Sequence, residues 1–194
     1  MGAKRLEETS PLSARVRAFF GLPLPKEHRD ALGLFIASCE AIAPEFRWVP
    51  AANLHLTLRF IGAVERALVE DIADRLATSR LAGFYLALGG LGTFKHGRLV
   101  RVAWLGVTSG VEPARALAAQ VEAACVAAGL EAEKRPFQAH LTLARARPRF
   151  GAALPKLPNP PQLEPWKADE LVLYESHLSP KGSVYVALRS LGMD

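Results

Sequence analysis

Cysteine is scarce: Cys39 and Cys125 are the only two among 194 residues, and neither belongs to a CxxC pair. Each falls in a stretch that reads as helix, so both are expected to be reduced, inert core residues, which argues against a disulfide framework. Metal-ligand spacing is also missing. The five histidines include no HExxH and no closely spaced pair, and no metal or cofactor is expected. The glycines of GGLGTF lack the lysine and hydroxyl of a nucleotide-triphosphate loop, and no serine or cysteine nucleophile with a partnered histidine stands out. Long apolar runs are absent too. The first fourteen residues, MGAKRLEETSPLSA, are polar and mixed in charge, and the apolar run after them is broken by Pro23 and Pro25. That pattern fits neither a signal peptide nor a membrane span, so residues 1–14 are expected to be a flexible segment and the protein cytoplasmic.

What is present is an ordinary globular composition, 50% hydrophobic, long enough to bury a core within one domain spanning 1–194. The net charge of +5, from 24 basic and 19 acidic residues, leans modestly towards acidic partners such as RNA or nucleotides. VRAFFGL (16–22) reads as a strand, and Pro25 can open a helix in which Leu32, Phe35, Ile36 and Cys39 recur on one face. FRWVP follows as an extended piece, and residues 53–62 alternate as a strand; Val64, Leu68, Ile72 and Leu76 then mark a second helix. Strands are expected over 84–94 and 99–107. A Ser109–Glu112 capping box, Pro113 and a terminating Gly129 bound a third helix. A strand over about 138–146 precedes a proline-rich surface loop running through WKA, with Arg147, Arg149 and Lys156 in solvent. Two last strands, 170–178 and 183–191, flank a Ser-Pro-Lys-Gly turn. Alternating strands, helices and hairpins imply an α+β fold of two similar lobes.

Each lobe carries the same tetrapeptide, HLTL, at residues 55–58 and 140–143. On a strand alternate residues share a face, so leucines pack on one side while His55 with Thr57, and His140 with Thr142, point to the other. A single such strand reads simply as half-exposed with its polar residues in water. Two copies on paired lobes suit in-line phosphoryl transfer. That reaction needs a base for the attacking oxygen and an acid for the leaving oxygen on opposite sides of phosphorus. Imidazole serves both roles near neutral pH, and threonine hydroxyls can donate to the non-bridging oxygens. A ribose 2′,3′-cyclic phosphate, with its leaving oxygen held in a ring at phosphorus, is a fitting substrate.

FFGLPLP, RWVPAANLHLTLRFIG, GTF followed by RVAWLGV, RPFQAHLTLAR and LYESHLSPKGSVY occur in that order over nearly the whole chain. Together they resemble the RNA 2′,3′-cyclic phosphodiesterases of the LigT/ThpR type, in the two-histidine phosphoesterase superfamily. The resemblance implies two intertwined lobes related by a pseudo-twofold axis, antiparallel sheets lining a central cleft and helices outside. It assigns catalysis to His55, as acid on the 3′ leaving oxygen, and to His140, as base on water, with Thr57 and Thr142 binding phosphate. The expected product is a 2′-phosphomonoester, the partner RNA or a nucleotide ending in a cyclic phosphate, and the enzyme a monomer. The same site with a ribose hydroxyl replacing water would be a 2′–5′ RNA ligase, and a chain that had lost its catalytic groups would be an RNA-binding module. Arg145 corresponds to a phosphate-binding arginine, yet strict alternation puts it on the leucine face unless a bulge turns it inward. Phe137 can stack on a base or serve as a core aromatic. Arg59 shares the His55 face under strict alternation, where it can reach phosphate or stand in solvent. His28, His96 and His177 match no motif and are expected to be surface or structural. One departure is Val100, where relatives commonly carry proline.

Overall fold

The computed structural model describes residues 14–179 and 182–194. Apolar alternation produces the strands, and the elements run β1 (Arg15–Pro23), α1 (Lys26–Ile42), β2 (Phe46–Trp48), a 3-10 turn (Ala51–Asn53), β3 (His55–Glu65), α2 (Arg66–Thr78), β4 (Phe84–His96), β5 (Leu99–Ser109), α3 (Val111–Ala127), β6 (His140–Ala146), β7 (Trp166–Ala168), β8 (Glu170–Ser179) and β9 (Gly182–Gly192). The fold is α+β, as expected. Among the described residues nine antiparallel strands form a sheet in the order β7-β4-β5-β6-β3-β1-β8-β9, with β2 pairing β6. No described helix is long and apolar enough to cross a membrane.

The strand order carries an internal repeat. One half is β7-β4-β5-β6 and the other β9-β8-β1-β3, and they meet at a single pair, Leu56 opposite Leu141. Register repeats as well: Pro23, Leu22 and Gly21 oppose His55, Leu56 and Thr57, just as Gly106, Leu105 and Trp104 oppose His140, Leu141 and Thr142. The halves interlock, because β4, which follows β3 and α2, crosses to pair with β5, while β8, which follows β6, crosses to pair with β1. Leu54, Leu56, Leu58, Leu141 and Leu143 are all buried. They join one hydrophobic core with the inner faces of α1 (Leu32, Phe35, Ile36), α2 (Val69, Ile72, Leu76) and α3 (Leu117, Val121, Cys125). Both cysteines are free and buried, and burial pushes the Cys125 thiol up to about 11.

Local expectations needed three corrections. Val64 belongs to β3, so α2 buries Val69 and Ala73 beside Ile72 and Leu76. Ser109 is held in β5 opposite Ala87, and no capping box forms; Gly110 caps α3 in the left-handed region (φ +82°) and Glu112 pairs with Arg115 instead. A side chain at Gly110 would press on the Tyr85 carbonyl, which explains the glycine. The proline-rich loop is not wholly surface: Leu154, Leu157 and Leu163 pack on the core, and its final WKA is a strand because Trp166 and Ala168 are buried against β4. Finally, β8 and β9 pair as the expected hairpin, while Pro180 and Lys181 of its turn lie outside the described residues.

Leu56 and Leu141 are fully buried where the halves join. Truncating either to alanine removes transfer free energy and leaves a cavity that neighbours from both halves must close. Leu56→Ala is expected to lower the unfolding free energy by about 2–5 kcal/mol in urea titrations, with Leu141→Ala in the same range.

Candidate active site

Residues opposite one another in an antiparallel pair point to the same face. With Leu56 and Leu141 both facing the core, His55, Thr57, His140 and Thr142 all face the other way, into a common cleft. Regular pairing in that register would set the two histidine Cα atoms about 8 Å apart. All four side chains are half-buried.

Each imidazole is held in the same manner. Nδ1 of His55 lies 2.7 Å from the Asn53 carbonyl oxygen, and Nδ1 of His140 lies 2.7 Å from that of Gln138, two residues back in both cases. A carbonyl only accepts, so Nδ1 carries the proton and Nε2 presents a lone pair to the cleft. The Thr57 hydroxyl donates to His55 Nε2 at 2.9 Å. Asn53 is itself anchored, its side-chain amide donating to the Ser183 carbonyl on β9 at 2.5 Å.

Aromatic rings wall both histidines. His55 sits 4.6 Å from the Phe19 ring centroid, 5.1 Å from Tyr185 and 5.8 Å from Tyr174. His140 sits 5.0 Å from Phe94, edge to face, and 6.0 Å from Trp104. Phe94 and Tyr174 are equivalent in the repeat: Phe94 pairs with Val102, Tyr174 with Phe19, and Val102 and Phe19 hold matching places. A Cβ at Gly92 would lie 2.1 Å from the Trp104 indole, so only glycine lets that ring lie across β4 towards His140. Phe19, Tyr174, Tyr185, Phe94 and Trp104 were not anticipated as site residues. All five fall within the segments that carry the family resemblance, but apolar rings in strands read as core.

Two matched bulges decide which arginine enters the cleft. Gly21 opposes Thr57 but Phe20 opposes Arg59, skipping Leu58; Trp104 opposes Thr142 but Ala103 opposes Ala144, skipping Leu143. An extra residue in a strand inverts the alternation beyond it. Leu143 and Ala144 are therefore buried in succession, and Arg145, opposite Val102, returns to the histidine face. Its charge reaches both imidazoles. Burial first, and Arg145 second, lower the His55 pKa to about 4 against the carbonyl's opposing pull, and the same causes lower that of His140.

The equivalent bulge removes Arg59 from the cleft. Rather than standing in solvent or near His55, it turns to the helix side, pairs with Glu122 of α3 at 2.6 Å and with Glu133 at 3.5 Å, and donates to the Glu131 carbonyl. Phe60 takes its place, stacked 6.3 Å from Phe19. Phe137 is half-buried and packs on the core. His28 is buried and structural, its Nε2 2.8 Å from the Glu164 carbonyl oxygen and its ring against Trp166. His96 lies beside Phe150, and His177 3.5 Å from Glu175. Among the described residues no group of three or more His, Cys, Asp or Glu is placed to hold a metal ion.

Known proteins are similar to this chain over most of its length. Residues 28–180 match the 2′-5′ RNA ligase superfamily. An RNA 2′,3′-cyclic phosphodiesterase of Geobacillus stearothermophilus is 32% identical over 92% of this chain, although the match spans only 58% of that longer protein. One from Thermus thermophilus is 33% identical over 92% of this chain and 90% of its own. The crystal structure of E. coli LigT complexed with 3′-AMP superposes with a TM-score of 0.77 at 27% identity, covering 93% of this chain and 99% of that one. With its paired His-x-Thr strands on one cleft face and a family match over most of its length, this chain belongs to the 2′-5′ RNA ligase superfamily.

Proposed function

We propose that the protein hydrolyses RNA or nucleotide 2′,3′-cyclic phosphates to 2′-phosphomonoesters, without a metal, by paired-histidine acid and base catalysis. One observation carries the reading: two carbonyl-held imidazoles present Nε2 to a shared cleft whose nearby cation, Arg145, acts on both. The names of the relatives support the substrate class.

In this mechanism the phosphate sits between the histidines, and its non-bridging oxygens accept from the Thr57 and Thr142 hydroxyls and from Arg145. His140 Nε2 takes a proton from water as the water oxygen bonds to phosphorus. The bond from phosphorus to O3′ breaks, and protonated His55 delivers its proton from Nε2 to that oxygen. His140 ends protonated and His55 neutral, and exchange with solvent restores the starting state. Burial and Arg145 oppose a proton on His55, while a bound phosphate anion opposes both effects and stabilises the imidazolium. Binding of substrate thus charges the acid. Ring opening by a ribose 5′-hydroxyl in place of water uses the same groups and leaves a 2′–5′ phosphodiester, and the family description favours testing that reaction beside hydrolysis.

Replacing either histidine with alanine is expected to cost at least 10²–10⁴-fold in turnover of a 2′,3′-cyclic nucleotide. A substrate whose 3′ leaving oxygen is replaced by sulfur needs little help from an acid, so it should restore much of the rate to His55→Ala and little to His140→Ala. Rescue of the other variant would reverse the two roles.

The dependence of kcat/KM on pH reports the free enzyme, in which one histidine must be protonated and the other neutral. Both pKa values lie below the ordinary 6.5, that of His55 at about 4. Turnover at low substrate should therefore peak on the acid side of pH 6.5 and decline towards neutrality, with the kcat profile displaced upward by the bound anion. A kcat/KM still rising above pH 7 would contradict this.

Arg145→Ala removes a cation that disfavours protonation of both rings. NMR titration should show the His55 and His140 pKa values rising together, with a drop in kcat/KM of about 10–100-fold from the lost charge-assisted phosphate contact. Movement of only one histidine would place Arg145 away from the centre of the cleft.

A further inference from the structure

Segments 44–49, 95–101 and 144–152 carry seven lysines and arginines against one carboxylate, Glu45, more than the chain's entire net charge of +5. Sheet pairing gathers them at one edge of the cleft. Arg47 opposes Arg145, Arg145 opposes Val102, and Lys95 opposes Val100. Val100 in turn exchanges two backbone hydrogen bonds with Ala152, at 2.9 and 3.0 Å, which proline at position 100 would have reduced to one. Gly151, at φ +104°, permits this approach, since a Cβ there would come within 2.7 Å of the Val100 carbonyl oxygen.

Arg47, Lys95, Arg98, Arg145, Arg147 and Arg149 are all exposed, and among the described residues none forms an ion pair. Elsewhere Arg59, Arg66, Arg75, Arg115, Arg135 and Arg189 each meet a carboxylate, while Arg15, Arg17, Arg29 and Arg80, scattered over the fold, form no ion pair among the described residues. The internal repeat shows that the fold does not require cations at this edge: the places of Lys95, Arg145 and Arg147 are taken in the other half by Glu175, Phe60 and Gly62. Beside the cations stands an aromatic platform. Phe150 is 58% exposed, with the His96 ring 5.8 Å away at 33° and the Arg149 guanidinium 5.4 Å above its centroid.

The geometry points to a single-stranded RNA track at this edge. The unpaired cations take the phosphodiester backbone leading to the reacting end, and Phe150 with His96 stacks one base. This rests on the proposed activity and deepens it, since the track makes an oligonucleotide a better substrate than a cyclic mononucleotide.

The test uses the full chain and a fluorescent single-stranded RNA of about eight nucleotides ending in a 3′-hydroxyl, which cannot turn over. Arg98→Ala with Arg149→Ala should weaken anisotropy-measured binding about tenfold or more, and reduce the slope of log K against log salt by about 1.4. Phe150→Ala should weaken it about tenfold, by loss of stacking. Hydrolysis of a 2′,3′-cyclic mononucleotide should stay within about twofold of the parent in these variants, which also reports that they fold. Unchanged RNA binding in both variants, with mononucleotide hydrolysis intact, overturns the track and leaves the activity standing. Weakened RNA binding in a protein that never opens a cyclic phosphate supports the track and sinks the activity. Loss of binding with the arginines but not with Phe150, matched by equal affinity for heparin, would reduce the edge to general polyanion attraction and overturn the base platform.

Discussion

The register of one strand pair, Leu56 against Leu141, underlies the rest of the structure. Side chains alternate with a period of two, so a slip of one residue on either strand would send the leucines into water and the histidines into the core. Burial of the leucine face against three helices makes such a slip costly. The geometry of the cleft is thus enforced from behind, by apolar packing that never touches a substrate.

The site uses that rigidity to hold groups in states that water would not favour. Both imidazoles are half-buried, fixed by a carbonyl two residues back, and exposed to a cation, so each is biased towards its neutral form with one nitrogen aimed outwards. Aromatic walls from five different strands supply the burial without adding charge. The electrostatics fit an anionic ligand, whose arrival opposes the bias on both rings at once.

The repeat is faithful in backbone and unequal in charge. Register, bulges and carbonyl clamps recur in both halves, yet Arg145 faces the cleft where its counterpart is Phe60, and Arg59 faces the helices where its counterpart is Ala144. Only one half acquires a cation on the histidine face and a basic margin. A symmetric pair of His-x-Thr strands thereby becomes unequal, with positive charge on one flank.

The sequence by itself determined the strands and helices, the shared face of each His-x-Thr pair and the buried leucines behind them, because alternation is local and each strand carries its own pattern. The capping box and the final WKA misled because neighbouring strands, β4 in both cases, imposed pairing that the local signals did not contain. Which arginine joins the histidines was decided only by tertiary structure. Arg59 and Arg145 change faces because β1 and β5 each skip a leucine across from them, and a skipped partner belongs to two strands at once. The aromatic walls and the basic edge depend on the same cause: their residues lie far apart in the chain, and it is the packing of strands that makes them neighbours.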